Sequence, residues 1–92
     1  MYNRFAEMRR KYLREHKDGI YTGMLLTGKL DIHLKEVGES AQVLFDRIVD
    51  EMKKFEGVTE KLKAENQMEW VGRMNSIRSR VEEIVLNDLI YN

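Results

Sequence analysis

The fold of this chain is decided by residues 59–91, which read TEKLKAENQMEWVGRMNSIRSRVEEIVLNDLIY. Apolar side chains recur in this stretch at alternating steps of four and three, the spacing that lines one side of a helix. Thr59 follows Gly57 and can cap the helix, and Glu60 places a negative charge in the first turn, where the helix dipole favours it. The stretch therefore predicts one long amphipathic helix over 59–91. Its apolar stripe consists of Trp70, Met74, Ile77, Val81 and Ile84.

A second apolar stripe precedes this stretch and predicts a helix over 29–56. Gly38 lies inside it and costs the helix about 1 kcal/mol relative to alanine. The stripe continues on both sides of Gly38, so we expect one helix rather than two. Its members are Leu30, Leu34, Val37, Ala41, Leu44, Ile48, Met52 and Phe55.

The connection between the two long helices is very short. Gly57 and Val58 leave so little chain that the helices are expected to fold back on each other as a long antiparallel hairpin. Counting outward from the turn places apolar residues opposite one another. The predicted pairs include Phe55 with Leu62, Ile48 with Met68, Leu44 with Val71, and Leu34 with Val81 or Ile84.

Two shorter helices are predicted before the hairpin. Residues 3–16 carry apolar side chains at helical spacing, and residues 19–27 are apolar nearly all round, which predicts a buried helix that ends at Gly28. The sequence contains no proline, 42% hydrophobic residues and 35% charged residues. This composition suits long helices. We therefore predict an all-α fold, a small helical bundle in a single domain spanning 1–92.

Composition and motifs argue against several functions. The absence of cysteine removes disulfides and thiolate catalysis, and the two histidines, His16 and His33, lack the convergent carboxylates of a metal site. No nucleophile motif and no phosphate-binding loop occurs. No apolar run has membrane-spanning length, and the amino terminus lacks the apolar core of a signal peptide. We expect a cytoplasmic protein with no enzyme activity, cofactor, metal, membrane contact or small-molecule substrate.

Positive charge is concentrated on the first helix, although the net charge of the chain is zero. The ordinary interpretation is a solvated surface whose late cations suit the helix carboxyl end. The alternative is a surface that contacts DNA phosphates. The candidate DNA contacts are Arg9, Arg10, Lys11 and Arg14, followed by Arg73, Arg78 and Arg80 on the last helix.

The positions of the carboxylates bear on two further interpretations, a helix-turn-helix and a pair of catalytic acids. A helix-turn-helix formed by 20–27, Gly28 and the next helix has weak support, because acidic residues offset the cations that normally meet base edges. Glu82 and Glu83 are predicted to be ion-pair partners of Arg78 and Arg80, at helical spacings of four and three, rather than paired catalytic acids. Glu69 and Arg73 are predicted to form the same kind of pair.

The apolar side chains near the hairpin turn are expected to exceed what two helices can hide, even if the first helix reaches partway along. An exposed apolar stripe usually marks a partner surface, and a two-fold homodimer is the commonest way to bury one. Trp70 is interpreted as a core or interface anchor rather than as a platform for bases. The predicted interface consists of Phe45, Val49, Met52, Trp70 and Met74.

Three blocks of the sequence resemble the TnpV family: LLTGKL at 25–30, GVT at 57–59, and QMEWVGRMNSIRSRVEEIVLN at 67–87. The resemblance covers nearly the whole chain. It implies a small protein encoded on a bacterial transposon or related mobile element. The implied role is an accessory one, excisionase-like or regulatory, in which the protein binds DNA or the element's recombinase. The alternative is a protein-interaction module without nucleic-acid binding, whose apolar stripe docks a partner helix.

Overall fold

The computed structural model describes all 92 residues, and its only regular elements are helices. This confirms the predicted all-α class. The molecule is a rod with extents of 54 × 19 × 19 Å. The elements are α1 (Arg4–His16), α2 (Asp18–Leu26), α3 (Leu30–Phe55), α4 (Glu60–Glu65), α5 (Gln67–Val85) and a π-helical segment (Leu86–Ile90) that continues α5.

α3 is a single helix of 26 residues, as its continuous stripe predicted. The reason for its internal glycine lies on α1. A Cβ at Gly38 would lie 2.7 Å from Asn3 Oδ1 and 2.9 Å from Ala6 Cβ. At this crossing the Asn3 side chain accepts a hydrogen bond from the Ala6 N–H and donates one to the Gly38 carbonyl. Gly38 therefore allows α1 and α3 to approach closely.

The predicted single helix over 59–91 is wrong at Asn66, where the backbone leaves helical geometry with φ −148° and ψ 83°. The Asn66 side chain accepts a hydrogen bond from the Glu69 N–H and so caps α5. Asparagine is among the most favoured capping residues because its short side chain bonds its own backbone locally. Thr59 caps α4, as predicted, by accepting from the Leu62 N–H.

Buried side chains form two cores, and neither contains a polar or charged residue. The main core brings together α1, α3, α5 and the π-helical segment around Phe5, Ala41, Phe45, Val58, Met74, Ile77, Val81, Val85 and Ile90. The second core lies between α1 and the first turns of α3, where α2 also packs. It consists of Ala6, Leu13, Leu30 and Leu34.

The break at Asn66 changes which parts of α3 and α5 meet. Arg80 forms an ion pair with Glu56, just beyond the end of α3, at 3.0 Å. Counting from the turn predicts that Leu34 meets Val81 or Ile84. Val81 and Leu34 belong to different cores, and Ile84 is 42% exposed. The predicted register is therefore wrong. Its pairs near the turn fail as well, because Phe55 is 92% exposed and Met68 is 88% exposed.

α2 is not the buried helix that its composition predicted, since none of its residues is buried. Only Tyr21 and Met24 pack against the second core, while Leu26 on the opposite side is 81% exposed. An all-round apolar composition shows how much surface a helix could bury. It does not show how many neighbouring elements a chain of this size supplies to cover it.

Candidate nucleic-acid interface

The predicted DNA-contacting cations fall into two separate groups, four on α1 and three on α5. The two helices run in the same direction, because Arg4 pairs with Glu82 at 2.9 Å and Arg9 reaches Ile90 further along. Arg78 lies one turn before Glu82, and Arg14 lies ten residues beyond Arg4. At 1.5 Å per residue, Arg78 and Arg14 are thus about 20 Å apart along the helix axes. The seven cations do not form one compact site.

Arg9 serves the fold rather than an open surface. Its Nη1 donates to the Ile90 carbonyl at 2.8 Å and to the main-chain oxygen of Asn92 at 3.0 Å. Carbonyls at a helix end lack partners inside the helix and attract cations. Burial lowers the pKa of Arg9, although a guanidinium stays charged at neutral pH. Arg9 therefore caps the carboxyl end of the π-helical segment.

Arg9 also contacts His33, and this contact occupies one of the two ring nitrogens that could bind a metal. Its Nε donates to Nε2 of His33 at 3.3 Å, so this nitrogen already accepts a hydrogen bond. Burial, and then the charge of Arg9, lower the pKa of His33. No group of three or more histidine, cysteine, aspartate or glutamate side chains converges anywhere in the chain.

Arg73 and Arg80 hold α5 against the end of α3. The hydrogen bond from Arg80 lowers the pKa of Glu56, and the same contact raises the pKa of Arg80. Arg73 pairs with Glu69 at 3.1 Å, as predicted, and donates to the Glu56 carbonyl at 3.4 Å. Both guanidinium groups are therefore engaged with residues of this chain.

The ion pairs predicted for the second half of α5 are wrong. Glu82 pairs with Arg4 rather than Arg78, and Arg80 pairs with Glu56 rather than Glu83. Both cross-helix partners became available only through packing, which local spacing could not show. Arg78 is exposed and makes no ion pair.

The cations in the second half of α1 and directly after it form a surface that we call the α1 basic surface. It consists of Arg10, Lys11, Arg14 and Lys17. Lys11 and Arg14 lie about one turn apart on one side of α1, and Lys17 follows directly after the last residue of the helix. All three are exposed and make no ion pair with a carboxylate. Arg10 pairs with Glu7 at 3.2 Å.

The zero net charge of the chain hides a strong asymmetry. Residues 1–35 contain eight lysines and arginines and four acidic residues. Residues 36–92 contain eight lysines and arginines and twelve acidic residues. The α1 basic surface lies in the positive part, and the outer side of α3 lies in the negative part. The excess of positive charge in residues 1–35 favours the approach of a polyanion to the α1 basic surface.

Three aromatic rings form a row beside the α1 basic surface. The ring centroid of Tyr12 lies 5.3 Å from that of His16 and 5.3 Å from that of Tyr91. The rings border an open groove of about 540 Å³ that is also lined by Met8, Lys11 and Glu15. Sequence reasoning missed this groove. The Tyr12–His16 spacing of four is visible in the sequence, but the arrival of Tyr91 depends on how α5 packs.

The predicted apolar interface is not an exposed stripe. Phe45 and Met74 are buried in the main core, and Val49, Met52 and Trp70 are partly buried against it. The first helix is expected from the sequence to reach only partway along this region, and α1 covers apolar surface that the two long helices leave over. α1 reaches this region, where the Phe5 and Phe45 ring centroids are 5.7 Å apart.

None of the helices combines the length and the apolar character needed to cross a membrane.

Comparison with known proteins identifies one family. No curated protein and no solved structure matches the chain. The family model described as transposon-encoded protein TnpV matches residues 1–90 of the 92-residue chain. The resemblance seen in the sequence is thereby confirmed, and the chain belongs to the TnpV family of transposon-encoded proteins.

Proposed function

We propose that this protein is a non-enzymatic accessory factor of its transposon and that it binds DNA through the α1 basic surface. The observation that carries the proposal is the state of Lys11 and Arg14. Both are exposed and unpaired, in the part of the chain where cations outnumber acids two to one. Surface cations without carboxylate partners are free to replace the counterions that surround DNA phosphates.

The remaining elements support this surface in distinct ways. Leu13 anchors α1 in the second core, and Arg9 fastens it to the π-helical segment. In this proposal α3 and α5, folded back as a hairpin, hold α1 in a fixed orientation. Because phosphate contacts position a protein without reading sequence, the preference for an element's own DNA would come from its recombinase, and the protein would act in an excisionase-like or regulatory role.

The test compares two triple variants for binding to a labelled duplex from the ends of the parent element. Lys11→Gln/Arg14→Gln/Lys17→Gln removes the open cations. Arg47→Gln/Lys54→Gln/Lys61→Gln removes the same charge from exposed positions in the acidic part of the chain. Each lost phosphate contact should reduce the slope of log affinity against log salt by about 0.9. We expect a clear reduction for the first variant only.

A scrambled duplex measured at the same salt concentrations separates site preference from general attraction. Equal slopes for the wild type and the first variant would overturn the assignment of the α1 basic surface. Equal losses in both variants would show that only overall charge matters, which also contradicts the proposal.

We propose a second function for the end of the rod opposite the α1 basic surface. This end mediates protein contact, in a homodimer or with the recombinase. Phe55 and Met68 are the most exposed large apolar side chains after Met1, and burying such residues is the usual source of association energy. This proposal rests on Phe55 and Met68 rather than on the interface residues predicted from the sequence. Phe55→Gln/Met68→Gln should weaken self-association in sedimentation equilibrium, and a wild-type protein that remains monomeric at every concentration would exclude the homodimer.

A further inference from the structure

The aromatic row beside the α1 basic surface has no evident purpose in the packing of the chain. Its outer members are on the surface: His16 is exposed, and Tyr91 is 48% exposed. Neither tyrosine hydroxyl and neither nitrogen of His16 makes a hydrogen bond within the chain. Aromatic residues that only complete a core would be covered, as Phe5 is. These rings are therefore accessible to a planar ligand.

The charges around the row narrow the chemistry of that ligand. Lys11 lines the groove together with the rings, and Arg14 lies one turn further along α1. Glu15 is the single acid at the groove. A planar group joined to an anionic backbone matches this combination of rings and cations.

Paired DNA cannot offer this combination, because the faces of its bases are stacked on one another inside the duplex. Unpaired nucleotides expose them, and each base that stacks on an aromatic side chain adds affinity in a way that tolerates any sequence. We propose that the groove between α1 and Tyr91 binds unpaired nucleotides of single-stranded DNA. Bases stack on the outer rings of the row, Tyr91 and His16, while Lys11 and Arg14 hold the adjacent phosphates.

This inference rests on the proposed DNA-binding function and makes it more specific. The α1 basic surface by itself attracts any nucleic acid, whereas the aromatic row adds a preference for strands whose bases are free. An accessory factor with this property would act where strands of the element are separated or distorted, rather than along intact duplex.

The experiment measures fluorescence anisotropy with three labelled ligands of equal length. They are an oligothymidylate, a strand that has the same number of phosphates but abasic sites in place of the bases, and a fully paired duplex. The full-length protein should bind the oligothymidylate at least about fivefold tighter than the abasic strand, which is the effect of one stacked base at the low end. Tyr91→Leu/His16→Leu should remove most of this preference, and Tyr91→Phe should keep it because the ring remains.

Two controls make the result specific. Phe55→Leu alters an exposed aromatic residue at the other end of α3 and should leave all three affinities unchanged. Lys11→Gln/Arg14→Gln should weaken the binding of all three ligands to a similar extent, since each ligand carries phosphates. Circular dichroism of each variant confirms that the helices remain folded.

The outcomes separate the two proposals. In one outcome the protein binds the duplex and also binds the oligothymidylate and the abasic strand with equal affinity. That result would overturn this inference, while the assignment of DNA binding to the α1 basic surface would stand. An oligothymidylate preference that survives Tyr91→Leu and His16→Leu would also overturn it, because the bases would then stack elsewhere. Failure to bind any of the three ligands would overturn both proposals.

Discussion

At the scale of single residues, Gly38 shows how two opposing effects can be compared. Alanine in place of glycine favours a helix by about 1 kcal/mol. At this position, however, the added methyl group would lie 2.9 Å from Ala6 Cβ, which is fixed to the α1 backbone, and 2.7 Å from the Asn3 oxygen that caps α1. Overpacking of a close contact usually costs about 1–3 kcal/mol.

We therefore expect Gly38→Ala to lower the free energy of unfolding by up to about 2 kcal/mol despite its better helix propensity. Gly72→Ala on α5 is the matched control, because nothing lies within 4 Å of the added Cβ. That control should raise the free energy of unfolding by up to about 1 kcal/mol. Urea titrations of both variants measure the difference, and a Gly38→Ala protein more stable than the wild type would contradict the close crossing.

His33 gives a second prediction at this scale. Burial, and then the charge of Arg9, lower its pKa in the folded protein, while Glu36 acts weakly in the opposite direction. Its pKa in the unfolded chain is about 6.5, so the unfolded state binds more protons as the pH falls below that value. The contribution of His33 to stability is therefore complete above about pH 6.5 and is lost at lower pH.

His33→Gln keeps an acceptor for Arg9 and removes the titration. The free energy of unfolding of this variant should fall less than that of the wild type between about pH 7 and pH 5. Urea titrations across this range provide the measurement. Parallel pH profiles for the two proteins would show that His33 is as easily protonated in the folded state as in the unfolded one.

At the scale of elements, Asn66 decides where α4 ends and α5 begins. Its side chain makes the capping bond to Glu69, and Glu69 in turn accepts from Asn66 Nδ2 at 3.3 Å. Replacing a capping asparagine by alanine costs about 0.5–2 kcal/mol. We expect Asn66→Ala to lose stability within that range in urea unfolding, whereas Asn75→Ala, on the exposed side of α5, should be neutral or slightly stabilising. A more stable Asn66→Ala protein would mean that residues 59–91 prefer the continuous helix.

The same element shows how much the sequence could predict. The periodic stripes were sufficient for the all-α class, for the unbroken α3 and for the short helices before it. The Asn66 cap was readable from the asparagine and the glutamate three residues later, but it lay within a regular apolar pattern that favoured continuity. Once that break was missed, the register between α3 and α5 could not be predicted correctly. The exposed positions of Phe55 and Met68 follow from the same break.

At the scale of the whole molecule, the sequence identified the basic helix but not the role of each cation. Whether a cation is free or engaged depends on carboxylates and carbonyls that arrive from distant segments. Arg9 and Arg80 are engaged by Ile90 and Glu56, whereas Lys11 and Arg14 remain open. Local spacing contains no information about such partners, so the open subset and the aromatic row emerged only from the packed chain.

The rod also separates the two proposed surfaces. Leu13, beside the α1 basic surface, packs near the start of α3, and Phe55 ends that helix, about 38 Å away at 1.5 Å per residue. Changes at sites this far apart usually have additive effects. Phe55→Gln/Met68→Gln should therefore leave DNA affinity per protomer unchanged, and Lys11→Gln/Arg14→Gln/Lys17→Gln should leave self-association unchanged. Anisotropy and sedimentation on the two variants and their combination test this directly. If Phe55→Gln/Met68→Gln alone loses DNA affinity, protein contact at one end assists DNA binding at the other.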